Sequence, residues 1–265
     1  MENRPANINL CTEKEDMPDI DHLRIKLFCD GADLGSLLTW AADPRIKGFT
    51  TNPTLMRKSH VVDYEAFVRQ LIKTIPERPL SFEVLADEPE AIEEEALAMA
   101  SWGVHVNVKV PVTNTWGAFT GPSLRRLAGA GVHLNVTALF TLKQVECVAE
   151  CLDRETPAII SVFAGRIADT GIDPVPLMRQ AARMLESLPN VELLWASPRE
   201  ILNIFQAEDA GCHIITLLPE ILTKLNLVGK DLDSYSLETV QMFYRDACAA
   251  GYRIDTHKAA ALTAQ

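Results

Sequence analysis

Eight short apolar segments recur along the 265-residue chain, each followed by a stretch with helical spacing. They fall at residues 24–30, 47–52, 80–85, 104–111, 133–139, 158–163, 192–197 and 213–217. The fourth is the most regular and reads Val104-His105-Val106-Asn107-Val108-Lys109-Val110-Pro111. The valines share one face of a strand, and His105, Asn107 and Lys109 share the other. β-branched residues at every second place favour the extended chain. Alone, such alternation also fits a strand with one face in water. Eight such segments separated by helical stretches fit instead a parallel sheet covered by helices, and eight is the number of strand–helix units that closes a barrel. The expected fold class is α/β, a single (β/α)8 TIM barrel over residues 22–255. A polar N-terminal arm (1–21) precedes it and a C-terminal tail (256–265) follows. A doubly wound open sheet is the competing architecture, but no Gly-rich phosphate loop follows the first strand.

Local signals place the helices. Asp33 caps one that Asp43-Pro44 stops. Residues 61–75 carry apolar side chains at helical spacing, and Asp87 opens an Ala/Glu-rich helix to 101. A helix is expected over 115–130, with Trp116 packing a loop onto it, and Thr141 caps the next, to 152. Asp173-Pro174 starts another to 188, and Pro198 fits the first turn of one that runs to 210. Pro219 opens a short helix, and 236–250 is the last. The Glu93-Glu94-Glu95 run reads as a solvated helix face.

Hydrophobic residues make up 48% of the chain, enough for the core of such a barrel, and the net charge of −11 argues against a nucleic-acid partner. The polar first residues do not read as a signal peptide, and no apolar stretch is long enough to span a membrane, so a cytoplasmic protein is expected. The six cysteines form no CxxC pair and read as reduced, packed thiols. His105 and His133 read as buried, hydrogen-bonded side chains, since no carboxylate is spaced to complete a metal site with them.

The polar residues collect at one end of the segments. Asp30, Asn52, Glu83, Lys109, Asn135 with Thr137, Ser161 and Ser197 lie in the last residues of successive strands, and Arg166 and Arg199 lie just beyond theirs. In a barrel these ends converge on one cavity. Lys109 would be a lysine in a confined interior, where the ammonium is disfavoured and the amine becomes a nucleophile. One lysine, two carboxylates and several hydroxyl and amide groups suit Schiff-base chemistry on a carbonyl.

Several stretches carry a more specific signal: Gly48-Phe49-Thr50-Thr51-Asn52-Pro53-Thr54, Val108-Lys109-Val110-Pro111, Asn135-Val136-Thr137-Ala138-Leu139-Phe140, Ile160-Ser161-Val162-Phe163-Ala164-Gly165-Arg166 and Ala196-Ser197-Pro198-Arg199. In this order, over residues 26–225, they resemble the transaldolase family of class I, Schiff-base enzymes, which includes the fructose-6-phosphate aldolases. The resemblance implies that Lys109 forms the Schiff base with a ketose and that Asp30 is the acid/base at the hydroxyl of the breaking bond. Glu83 and Thr137 would hold a relay water. Asn52, Asn135 and Ser161 would bind the dihydroxyacetone hydroxyls, and Arg166, Ser197 and Arg199 the phosphate. It further implies sugar phosphate substrates in pentose phosphate metabolism, no cofactor, no metal, and a possible homo-oligomer.

Glu83 and Phe163 match the transaldolases proper; the related aldolases carry Gln and Tyr there, so transfer is favoured over free cleavage. Pro198 replaces the family's Phe. Trp195 replaces a small residue, and by strand parity it faces the same way as Ser197, as a barrel-core aromatic or part of an altered pocket. A class I aldolase without transfer and a catalytically idle barrel serving as a scaffold remain the other readings.

Overall fold

The computed structural model describes residues 20 and 22–254; the expected arm (but for Ile20) and tail lie outside them. A compact unit spans Ile20–Asn226 and carries every strand. β1 (Lys26–Asp30) leads to α1 (Leu34–Ala41), whose first turn Asp33 caps by accepting from the Ser36 amide. β2 (Ile46–Thr50) is followed by α2 (Pro53–Lys58), capped by Asn52, and by α3 (Tyr64–Thr74), capped by Asp63. β3 (Leu80–Glu83), α4 (Pro89–Ala100), β4 (Val106–Pro111) and α5 (Gly121–Gly129) come next. β5 (Leu134–Leu139) precedes α6 (Leu142–Ala149), where Thr141 and Gln144 form a reciprocal capping box. β6 (Ala158–Val162), α7 (Ala164–Asp169), α8 (Val175–Leu185), β7 (Val191–Trp195), α9 (Leu202–Asp209), β8 (Ile214–Leu217) and α10 (Pro219–Leu222) complete the unit, with a 3-10 turn at Thr223–Leu227. A second compact unit contains α11 (Leu232–Ala250), which Asp231 caps and Gly251 ends in the left-handed conformation.

The strands pair in parallel in chain order, and β8 closes on β1. Closure leaves no sheet edge. The chain is therefore a (β/α)8 TIM barrel. Its larger core lies between strands and helices; a smaller one fills the barrel interior with Phe28, Ile159, Leu194, Ala196 and Ile214. Phe28 and Ile159 line a cavity at the N-terminal mouth, and Leu194 and Ala196 line one at the C-terminal mouth, so this apolar layer separates the two.

Several local expectations change. α5 begins at Gly121 rather than near 115, because Thr113 and Phe119 bridge and turn the intervening loop back on itself. Trp116, in that loop, is 70% exposed rather than packed. Pro198 starts no helix; α9 begins at Leu202. The six-residue α7 gave no sequence signal. The acidic run is not merely solvated: Glu93 binds Ser123 and Arg126, and Glu95 accepts the Leu85 and Ala86 amides just beyond β3. His105 is exposed and His133 half-buried, since both reach the open N-terminal mouth rather than a sealed interior. Five cysteines, Cys29, Cys147, Cys151, Cys212 and Cys248, are free. Among the described residues no helix is long and apolar enough to cross a membrane, and no group of three or more His, Cys, Asp or Glu could hold a metal ion.

Gly48 lies opposite Phe28 in the β1–β2 register, and a Cβ on it would stand 2.5 Å from the Phe28 ring. The interior layer therefore needs glycine here. Gly48→Ala should destabilise the fold by about 1–3 kcal/mol, the usual cost of overpacking, read as a lower urea midpoint with an unchanged slope.

Candidate active site

All eleven side chains singled out in the sequence line one cavity of ≈ 440 Å³ at the C-terminal mouth. Register explains how. Glu83 pairs with Lys109, Lys109 with Asn135, and Asp30 with Thr50, so neighbouring strands deliver their polar ends at nearly one level.

Lys109 is 7% exposed. Its Nζ lies 2.9 Å from Glu83 Oε2 and donates to the Thr51 carbonyl at 2.6 Å. The sequence pointed to a confined lysine in a Schiff-base motif; the structure adds the carboxylate that stands against it. The other Glu83 oxygen accepts from the Thr137 hydroxyl at 2.7 Å. Glu83 is itself held in place, because the Tyr64 hydroxyl donates to its carbonyl at 2.6 Å. Ser161 donates to Asn135 Oδ1, and Asn135 Nδ2 donates to Ser81 Oγ. Asn52 uses its side-chain oxygen to cap α2, which leaves its amide N–H groups for a ligand.

Asp30 accepts from Thr50 at 2.8 Å. Burial pushes its carboxyl above the ordinary carboxylate range; Lys109 and the Thr50 bond oppose that rise and Glu83 adds to it. The neighbouring Cys29 thiol is pushed up to about 12, mainly by burial, and stays protonated.

The phosphate candidates sit at the rim. Arg166 lies over the Phe163 ring, 5.5 Å from its centroid, and Phe163 in turn stands 5.8 Å from Phe140. Arg199 lines the cavity but is gripped by Asp169 through both carboxylate oxygens, which lowers the Asp169 carboxyl below its usual range. Gly165 brings the two arginines together: a Cβ there would stand 1.6 Å from the Ser197 carbonyl oxygen. Ser197 and Ala138 both take the left-handed conformation, at φ 57 and 60, a strained backbone for non-glycine residues that gathers at sites rather than in scaffolds.

Trp195 does not face the cavity. Leu194 and Ala196 line it, while Trp195 is fully buried in the strand–helix core. Parity failed because β7 ends at Trp195 and the left-handed Ser197 breaks the alternation. Sequence reasoning gave no role to Ser81 and Thr50, which bond to Asn135 and Asp30, to Thr216, which bonds to Thr50, or to Lys58 and Thr54, which line the cavity. Alternation could have found Thr50 and Thr216, each an inward hydroxyl near the end of its strand. Lys58, at the end of a helix, carries no such signal.

The sequence matches the family described as Transaldolase/Fructose-6-phosphate aldolase over residues 27–263. The chain belongs to this family. It is 33% identical over 193 residues to the "Probable transaldolase" of Roseiflexus sp. (strain RS-1), covering 72% of this chain and 85% of that one. The "Probable transaldolase" of Parvibaculum lavamentivorans is 30% identical over 232 residues, 87% of this chain and 100% of that one. A designed cube-shaped protein cage, built by fusing symmetric oligomeric domains, shares the fold at a TM-score of 0.52 and 10% identity, over 90% of each chain.

The raised Asp30 carboxyl has a stability consequence with a definite sign. Between the ordinary range and its raised value the native state binds more protons than the unfolded chain, so stability falls as pH rises through that window. Asp30→Asn should therefore raise the melting temperature at pH 7. The gain should vanish below the ordinary carboxylate range, where both states are protonated. A scan showing Asp30→Asn less stable at neutral pH would contradict this.

Proposed function

We propose that this family member is a transaldolase that moves a dihydroxyacetone unit between cytoplasmic sugar phosphates through an imine on Lys109. The observation that carries this reading is the contact of Lys109, Glu83 and Thr137 inside a cavity that also holds Asp30. Glu83 is placed to take a proton from the Lys109 ammonium. The amine then attacks the ketose C2 carbonyl, and the carbinolamine loses water to form an iminium. Glu83 with Thr137 holds that water and passes protons to and from it. Asp30 takes the proton of the C4 hydroxyl; the C4–O electrons form the aldehyde as the C3–C4 bond breaks, and that bond's electrons run into the iminium to give an enamine. An acceptor aldehyde reverses these steps, and Asp30 returns the proton. The iminium is the electron sink, so the residues need no metal or organic cofactor.

Asn52, Asn135 and Ser161 bind the dihydroxyacetone hydroxyls. The phosphate is held by Arg166, Ser197 and the N–H groups of Arg199 that Asp169 leaves free. Arg166→Ala should raise KM for phosphorylated acceptors roughly 10–100-fold, as for a lost charged hydrogen bond of about 1.5–3 kcal/mol, and leave unphosphorylated aldehydes nearly unaffected. Equal losses for both would count against a phosphate site.

Phe163 bears on transfer against release. It lines the cavity without a hydroxyl to promote enamine protonation and hydrolysis. Each 1.36 kcal/mol between the two barriers is about tenfold in partition. Turnover of a ketose phosphate should require an aldose phosphate acceptor, and Phe163→Tyr should increase dihydroxyacetone release. Steady release by the unaltered protein without acceptor would favour the aldolase reading; inactivity with every donor and acceptor would favour an idle barrel.

A further inference from the structure

β8, β1 and β2 are adjacent in the barrel wall and contribute Thr216, Asp30 and Thr50 to one hydrogen-bonded string. Thr50 Oγ1 lies 2.8 Å from Asp30 Oδ1 and 2.6 Å from Thr216 Oγ1. A threonine hydroxyl has one proton, and an ionised carboxylate can only accept. Thr50 therefore spends its proton on Asp30, and the proton in the Thr50–Thr216 contact must come from Thr216. In the ionised state the string has one direction, Thr216 to Thr50 to Asp30. Thr216 is 6% exposed and Thr50 4%, and both line the cavity, so little water competes for these contacts.

We infer that Thr216 is a positioning residue: by donating to Thr50 it fixes Thr50 as the donor to Asp30 Oδ1 and leaves Oδ2 as the oxygen that meets the reacting hydroxyl. A lone Thr50 could turn its proton elsewhere. With Thr216 donating, the Thr50 oxygen is occupied as an acceptor, and its own proton stays on the carboxylate. Successive hydroxyls also polarise one another, which strengthens the bond that favours the charged form of Asp30. The string acts against the burial that raises this carboxyl. Among the described residues the hydroxyl bonded to Asp30 is that of Thr50; the neighbouring charged groups are Lys109 and Glu83, and Cys29 lies beside it on its own strand.

The consequence for the reaction rests on the proposed function, so the first test needs no substrate. The Asp30 carboxyl is titrated by carbon NMR in the unliganded protein, in the unaltered chain and in Thr50→Val, Thr216→Val and Thr216→Ser. Thr50→Val should move the midpoint up most. Thr216→Val should move it up less, and Thr216→Ser should restore it. With substrate, Thr216→Val should lower kcat roughly 3–10-fold, as for one neutral hydrogen bond, with little change in KM and the acid limb displaced toward higher pH. If Thr216→Val fails to fold, Thr216→Ala carries the same comparison. A Thr216→Val or Thr216→Ala midpoint equal to that of the unaltered protein overturns the inference, and so does a serine variant that behaves like the valine one. NMR shifts of the expected order in a protein without transaldolase activity would leave the Thr216–Asp30 coupling standing and remove only the proposed reaction.

Discussion

The ion pair between Lys109 and Glu83 is the contact that the rest of the site depends on. The two side chains are 9% and 13% exposed and face each other across β3 and β4 at 2.9 Å. Placing two charges in so confined a space is costly, and it succeeds only where the remaining protons and lone pairs are satisfied. Thr137 from β5 meets the second Glu83 oxygen, and the carbonyl of Thr51, just past β2, meets the ammonium. Groups from four successive strands therefore converge on one pair. Removing either charged partner alone leaves an uncompensated charge, at a typical cost of about 3–5 kcal/mol.

Around that pair the molecule accepts destabilising features that its scaffold offsets. Asp30 is held in surroundings that oppose its charge, and Ala138 and Ser197 sit in the left-handed conformation at the ends of their strands. The closed ladder of eight parallel strands and the interior layer around Phe28 hold the strand ends at fixed levels, and the strained turns then aim single residues into the cavity. The 1.6 Å that separates a Gly165 Cβ from the Ser197 oxygen shows how closely α7 is pressed onto the end of β7. That contact sets Arg166 and Arg199 at one rim.

The barrel was legible because its signal is repeated: eight apolar segments, seven of them with β-branched residues and each followed by a helical stretch, point to one topology. The site was legible for a related reason, since a parallel barrel brings the C-terminal ends of its strands together whatever else they carry. Errors came where a rule lost its physical basis. Strand parity misplaced Trp195, because a left-handed residue two positions later ended the alternation. Burial was assumed for His105 and His133 from their inward positions, yet the N-terminal mouth is open. Lys109 was read from confinement and from its family motif, without its ion-pair partner, because Glu83 lies 26 residues away in sequence and only strand register brings it near. The Asp169 grip on Arg199 and the hydroxyl string behind Asp30 are tertiary in the same sense.

At the cavity wall Leu194 and Ala196 present apolar surface and Phe163 carries Arg166 on its face, while Trp195 lies in the outer core. The central claim is that Lys109 is the residue that becomes covalently bound to the ketose. Borohydride trapping with a ketose phosphate, followed by intact mass and peptide mapping, tests it most directly. One adduct of a reduced three-carbon unit or whole ketose on Lys109, absent from a folded Lys109→Met variant, is the predicted result. A full-yield adduct on that variant, or one mapped to another lysine, would contradict the account.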